Sequence, residues 1–184
     1  MLLDDLAKFK RFGAFGTTYP TCVRRFFSPD DDVHGVILAV LQSARLSVAG
    51  AMYGYDDEDV NALLLNHAND PALPVQLALD STQAAGVHER RLIAEWPHDV
   101  IGNSLVIGRS RRHAISHTKL LVIDGILTIG GSTNLSVSGE TQQNNECIVV
   151  MDATYAAETR AKIDLCHGEM AQQMAAAAAA QPAA

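Results

Sequence analysis

The stretch HTKLLVIDGILTIGGSTN, residues 117–134, constrains this chain more than any other. Asp124-Gly125 lies between two runs of branched apolar residues and is a strong signal for a β-hairpin. A two-residue type I′ turn needs positive φ at both positions, and Asp-Gly accepts that. Such a turn sets Ile123 opposite Ile126, Leu121 opposite Thr128, Lys119 opposite Gly130 and His117 opposite Ser132. Residues opposite each other, and residues two apart, share a face. His117, Lys119, Ser132 and Asn134 are therefore expected together at one end of the hairpin. Thr118, Leu120, Val122, Leu127 and Ile129 are expected to pack on the other side. Gly130 then leaves room beside Lys119, and a bulge at Gly130-Gly131 would shift the register by one.

Polar side chains gathered on an apolar sheet face cost free energy unless they are paired or used. This set offers an imidazole, a fixed cation and two neutral hydrogen-bonding groups, which suits the oxygens of a phosphate or a similar oxyanion. No carboxylates converge on the histidine, so neither a metal nor another cofactor is expected there.

The hairpin is embedded in alternating elements. VRRFFS reads as a strand, and SPDDD supplies helix-start chemistry for VHGVILAVLQSA. RLSVAGAMYG reads as a buried strand, DEDVNALLLNHAND as a helix, and PVQLALD as a strand with Asp80 at its carboxyl end. STQAAGVHERRLIAEW then gives loop and helix, NNECIVVMD a last strand, and residues 153–174 a final helix. Strand, helix, strand, helix predicts an α/β layered fold with parallel pairing in its first half. Leu3, Leu6, Phe9, Phe12 and Phe15 suggest an amphipathic helix over 2–15 that docks on the body or on a partner. The expected organisation is an N-terminal helix and connection over 1–22, one catalytic domain over 23–174, and an Ala-rich tail over 175–184.

The apolar fraction of 48% suits a globular chain, and no apolar run reaches the ~18 residues a membrane-spanning helix needs. With no basic region ahead of an apolar core at the start, a cytoplasmic protein without stable membrane association is expected. Cys22, Cys147 and Cys166 show no C-x-x-C spacing and argue against a disulfide framework or a structural zinc finger. Net charge is −7, yet Arg109, Arg111, Arg112 and Lys119 lie between residues 109 and 123 without an acid. That run leads straight into the hairpin and, with His113, makes an anion-attracting patch.

His117-x-Lys119, four residues to Asp124, then six to Gly131-Ser132-x-Asn134, resembles the HKD signature of the phospholipase D superfamily. The likeness extends loosely from Val23 to Met151 and includes Asn145-Glu146 ahead of an apolar strand. It implies a central mixed β-sheet flanked by helices on both faces, an α/β/α sandwich. It also implies metal-independent phosphodiester cleavage through a covalent phosphohistidine. By resemblance His117 is the nucleophile, and Lys119 and Asn134, helped by Ser132, bind the non-bridging oxygens. Either Asp124 or Glu146 would orient the imidazole. Asp124 sits some seven residues away along an extended strand, roughly 23 Å, so Glu146 is preferred and Asp124 assigned to the turn.

One histidine must attack and a second must protonate the leaving oxygen. No second H-x-K surrounds His34, His67, His88, His98, His113 or His167. Short superfamily members with one motif, such as bacterial endonucleases, form dimers with a shared site, so a homodimer pairing two copies of His117 is expected. A non-specific endonuclease acting on DNA or RNA fits the chain length and the basic loop. The alternatives are a phospholipase D-type lipid phosphodiesterase or transphosphatidylase, using residues 2–15 at a membrane surface, and a non-catalytic interaction module.

Overall fold

The computed structural model describes residues 2–180. Its strands are β1 (Val23–Ser28), β2 (Val48–Met52), β3 (Val75–Asp80), β4 (Leu105–Gly108), β5 (Lys119–Ile123), β6 (Leu127–Gly131) and β7 (Asn145–Met151). They form one sheet in the order β1-β7-β6-β5-β2-β3-β4. The β2–β3 and β3–β4 pairs are parallel, and the remaining four are antiparallel. Every residue of β2, an interior strand between β5 and β3, is buried, because both faces of the sheet are covered.

The helices are α1 (Val33–Gln42), α2 (Glu58–Ala68), α3 (Ser81–Ala84), α4 (Val87–Ile93), α5 (Val137–Thr141) and α6 (Ala153–Ala179). Aspartates start most of them. Asp32 accepts from Gly35 N, Asp57 from Val60 N, Asp80 from Thr82 N and Asp152 from Tyr155 N, each satisfying an amide that has no partner within the helix. On one face Val36, Ile37, Val40, Leu64, Leu77, Leu121 and Ile129 form the larger core. On the other, α6 lays Ala156, Ile163, Cys166 and Met170 over Ala49, Ala51, Ala78 and Val122, where small sheet residues let the helix come close.

Three expectations need correction. Residues 2–15 do not form an amphipathic α-helix. A 3-10 helix covers Leu3–Phe9, burying Leu3 and Leu6 in the larger core, and the chain then extends so that Asp31 can accept from the amides of Arg11 and Phe12. The final helix runs beyond residue 174 to Ala179, as the high helix propensity of its alanines favours; residues 181–184 of the tail lie outside the described residues.

The hairpin register is also shifted by one. Asp124 and Gly125 both have positive φ, as expected, and Ile126 N donates to Ile123 O. The first ladder pair is nevertheless Ile123–Leu127, followed by Val122–Thr128 and Leu121–Ile129. Leu127 and Ile129 thus join Leu121 and Ile123 in the larger core, and Gly130 approaches Leu120 instead of Lys119. Strand β4 and helix α5 were not anticipated.

Candidate active site

The site forms where β2 ends. Met52 pairs with Lys119, Tyr53 N donates to Thr118 O, and Tyr55 bridges to Leu135, so the chain after β2 runs between the two halves of the hairpin motif. The Tyr53 ring lies 4.5 Å from the His117 ring, centroid to centroid, at 59°. Lys119 Nζ stands 4.8 Å above the same ring and 3.3 Å from His117 O. Asn134 Oδ1 accepts from Gly54 N at 3.2 Å, and its side chain occupies the space a Cβ at Gly54 would need. His117, Lys119 and Asn134 therefore converge on the dipeptide Tyr53-Gly54.

A bulge makes that convergence possible despite the register shift. The amides of Ser132 and Thr133 both donate to Glu146 O, at 3.0 and 3.3 Å, so two residues oppose one. Gly131, with φ of 124°, brings its Cα so close to that carbonyl that any Cβ would collide with it. The extra residue shifts the side-chain alternation once more and returns Asn134 to the side of His117 and Lys119. Ser132 goes elsewhere: its Oγ donates to Asn145 Oδ1 at 3.0 Å and accepts from Glu146 N at 2.9 Å.

His117 is exposed, whereas Lys119 is only 7% exposed. Burial pushes the Lys119 ammonium below its ordinary pKa because the charged form is the poorly solvated one. A second buried group prepares the approach to His117. Asp80 Oδ2 accepts from Ser116 N at 2.6 Å, while Oδ1 is held by Thr82, fixing the residue ahead of the histidine. Tyr53 is held in turn, its hydroxyl accepting from Gln83 Nε2 at 3.1 Å.

The other anticipated residues divide. His117, Arg109, Arg111 and Arg112 line one cleft of about 440 Å³ between their loop and α6, where Lys162 adds a cation and Glu169 an acid. His113 lines a separate groove with Glu169 and Gln173. Glu146 forms an ion pair with Arg25 and lines a different groove with Ser132, Phe27 and Asn145. No hydrogen bond joins it to His117 among the described residues. Asp124 is remote from all of these, in the hairpin turn. There it accepts from the amides of Arg45, Leu46 and Ser47 at 2.7–3.0 Å. Those bonds outweigh burial and hold its carboxyl below the usual range. Sequence reasoning gave Tyr53 and Asp80 no firm role; an aromatic-glycine pair closing a buried strand was the available signal for the first.

A sequence model of the family described as "Cardiolipin synthase, PLD-like domain" matches residues 37–166. The chain belongs to the phospholipase D-like family. It is thereby a member of a superfamily of phosphodiesterases, and the α/β/α architecture is that family's fold. No curated protein matches the chain significantly. Among solved structures it is similar to the phospholipase D family member Nuc from Salmonella typhimurium, with TM-score 0.66 and 18% identity over 77% of this chain and 91% of that one. NucT from Helicobacter pylori gives TM-score 0.65 and 16% identity over 77% and 92%. Phosphatidylserine synthase from Haemophilus influenzae gives TM-score 0.60 and 10% identity over 89% of this chain and 44% of that one. Among the described residues no helix is long and apolar enough to cross a membrane.

Proposed function

We propose that this phospholipase D-like chain is a metal-independent endonuclease that works as a homodimer. The observation that carries the reading is an exposed His117, braced by Tyr53 and flanked by the buried Lys119, opening on a cleft with three arginines. The His117 imidazole attacks phosphorus, forming a P–N bond as the bond to the leaving oxygen breaks. The second subunit's His117 protonates that oxygen and then takes a proton from the water that hydrolyses the phosphohistidine. Lys119 and Asn134 stabilise charge on the non-bridging oxygens, since both present fixed donors beside the attacking ring. Glu146 is the acid assigned to orient an imidazole, although within one chain it pairs with Arg25; two copies of the chain supply two such acids for two rings. Asp124 belongs to the hairpin's support.

Nucleic acid is favoured over lipid by what surrounds the histidine. Arg109, Arg111, Arg112 and Lys162 suit successive backbone phosphates, which are bound without reading sequence. Of the apolar series over residues 2–15, Leu3 and Leu6 are buried and Phe9 and Phe15 pack against the core, which leaves Phe12 as the exposed member of the series. The test is cleavage of plasmid DNA, single-stranded RNA and phosphatidylcholine vesicles in excess EDTA, with His117→Ala beside the unaltered chain. Nucleic-acid cleavage that depends on His117, with an acid-trapped phosphoenzyme, is expected. Lipid hydrolysis alone, or cleavage surviving in His117→Ala, would overturn the assignment.

A further inference from the structure

The outer edge of β4 is closed by side chains, not by another strand. β4 ends the sheet, so the amides of Ile107 and Arg109, two residues apart, face away from β3. Helix α6 meets both. Ile107 N donates to Met174 Sδ at 3.1 Å, and Arg109 N donates to Gln173 Oε1 at 2.9 Å. Gln173 also returns a bond, its Nε2 donating to Arg109 O at 2.9 Å. One side-chain amide thus gives Arg109 both bonds that a neighbouring strand would give, and it covers an edge that is otherwise open. The close approach needs Gly108, where a Cβ would stand 2.9 Å from Gln173 Oε1.

Arg109 is the first residue of the basic loop. Beyond it the chain folds back on itself, His113 N donating to Ser110 O at 2.8 Å and Ser110 N to Ala114 O at 3.0 Å. The Arg109 guanidinium stays with this turn, its Nη1 3.4 Å from His113 O and its Nε 3.4 Å from Ser81 Oγ. At the far end Ser116 N is held by Asp80. The loop is therefore fixed at both ends. Arg111 and Arg112 lie exposed at its turn, and among the described residues their side chains have no ion pair or hydrogen bond. Among the described residues Gln173 is the one side chain of α6 that is hydrogen-bonded to residues 109–116.

We propose, resting on the nucleic-acid reading above, that Gln173 is a positioning residue for substrate. It latches the basic loop onto α6, so that Arg111 and Arg112 are in place before the phosphodiester strand arrives. The same helix brings Lys162 to the cleft, and the latch fixes the arginines relative to that cation. Without it the substrate must itself order the loop, and affinity falls by the fraction of molecules in which the loop is in place. His117 is anchored separately, through Asp80 and Ser116, so the chemical step is independent of the latch once substrate is bound.

Gln173→Met tests this in the full chain, since it keeps the side chain's length and removes both bonds. Amide hydrogen exchange and steady-state cleavage of supercoiled plasmid DNA in EDTA are the two readouts. Exchange at the Ser110 and His113 amides, neither of which is bonded to Gln173, should quicken about ten-fold while the β5 amides are unchanged. KM should rise about ten-fold with kcat within about two-fold of the unaltered chain, the pattern of lost binding alone. Gln172→Met, at the exposed neighbouring position, should change neither readout. Added to Arg111→Ala with Arg112→Ala, Gln173→Met should raise KM no further, because it acts through those two cations. Unchanged exchange at Ser110 and His113 would overturn the latch. An unchanged KM beside a loosened loop, or a full KM effect in the doubly altered background, would overturn its role in holding substrate. An unaltered chain that cleaves no nucleic acid would overturn the endonuclease reading and the substrate role together, with the exchange rates still deciding the latch.

Discussion

Lys119 shows at the scale of one side chain how function and stability pull apart. Its ammonium is nearly enclosed, touches the Tyr53 face and has one hydrogen bond, to His117 O. Burial disfavours the charged form, so the folded pKa lies below 10.5 and the native state binds fewer protons than the unfolded chain between those two values. Lys119 therefore costs stability at neutral pH, and the penalty fades as pH rises through the folded pKa. Lys119→Met should abolish cleavage and yet raise unfolding stability by about 1 kcal/mol in urea titrations at pH 7. A destabilised variant would mean that the cation stabilises the fold. Asp124 predicts the reverse pattern. Its carboxylate serves three backbone amides and its pKa is lowered, so its contribution is present above 3.8 and fades as pH falls through the folded value. Asp124→Ala should lose about 1–3 kcal/mol of stability while the folded fraction keeps full activity; a large drop in kcat would relocate Asp124 to the chemistry.

At the scale of elements, a small irregularity decides whether the site assembles. The Asp-Gly turn was legible because both positions require positive φ, and the alternation of the strands was legible from their apolar periods. The register was not, since Ile126 can either pair or join the loop, and only packing of Leu127 and Ile129 against the larger core decides. The second offset, at Ser132-Thr133, depends on the carbonyl of Glu146 in β7, a long-range contact that no local pattern announces. Tyr53 and Asp80 escaped assignment for the same reason, their partners Lys119 and Ser116 being far away along the chain. β4 is four residues and α5 five, too short to show a period. Gly131→Ala tests the bulge. A Cβ there meets the Glu146 carbonyl, and φ of 124° is unfavourable for alanine. The expected outcome is a loss of about 2–4 kcal/mol together with a fall in kcat larger than in KM, because Asn134 is displaced. Alanine tolerated on both counts would show that the bulge is not needed.

At the scale of the whole molecule, charge and stoichiometry make separate demands. On the proposed reading, a chain of net charge −7 must hold nucleic acid where its cations are concentrated, at the arginine-lined cleft. Cleavage should therefore weaken steeply with salt, and Arg111→Ala with Arg112→Ala should reduce the slope of log kcat/KM against log salt by about one to two. An unchanged slope would place the substrate elsewhere. The proposed dimer demands more, because each chain carries one H-x-K histidine and the proposed reaction uses two. If both rings serve a single site, one altered subunit disables its partner as well. Mixing equal amounts of the unaltered chain and His117→Ala, with time for subunits to exchange, leaves about a quarter of dimers with both histidines. Activity should then fall to about a quarter of that of an equal total of unaltered chain, and in general as the square of its fraction. Independent subunits instead give a straight line through one half. A straight line, with exchange verified by mass-tagged chains, would return the second proton transfer to a group within one subunit, and the search would begin at the rim between His117 and Lys162.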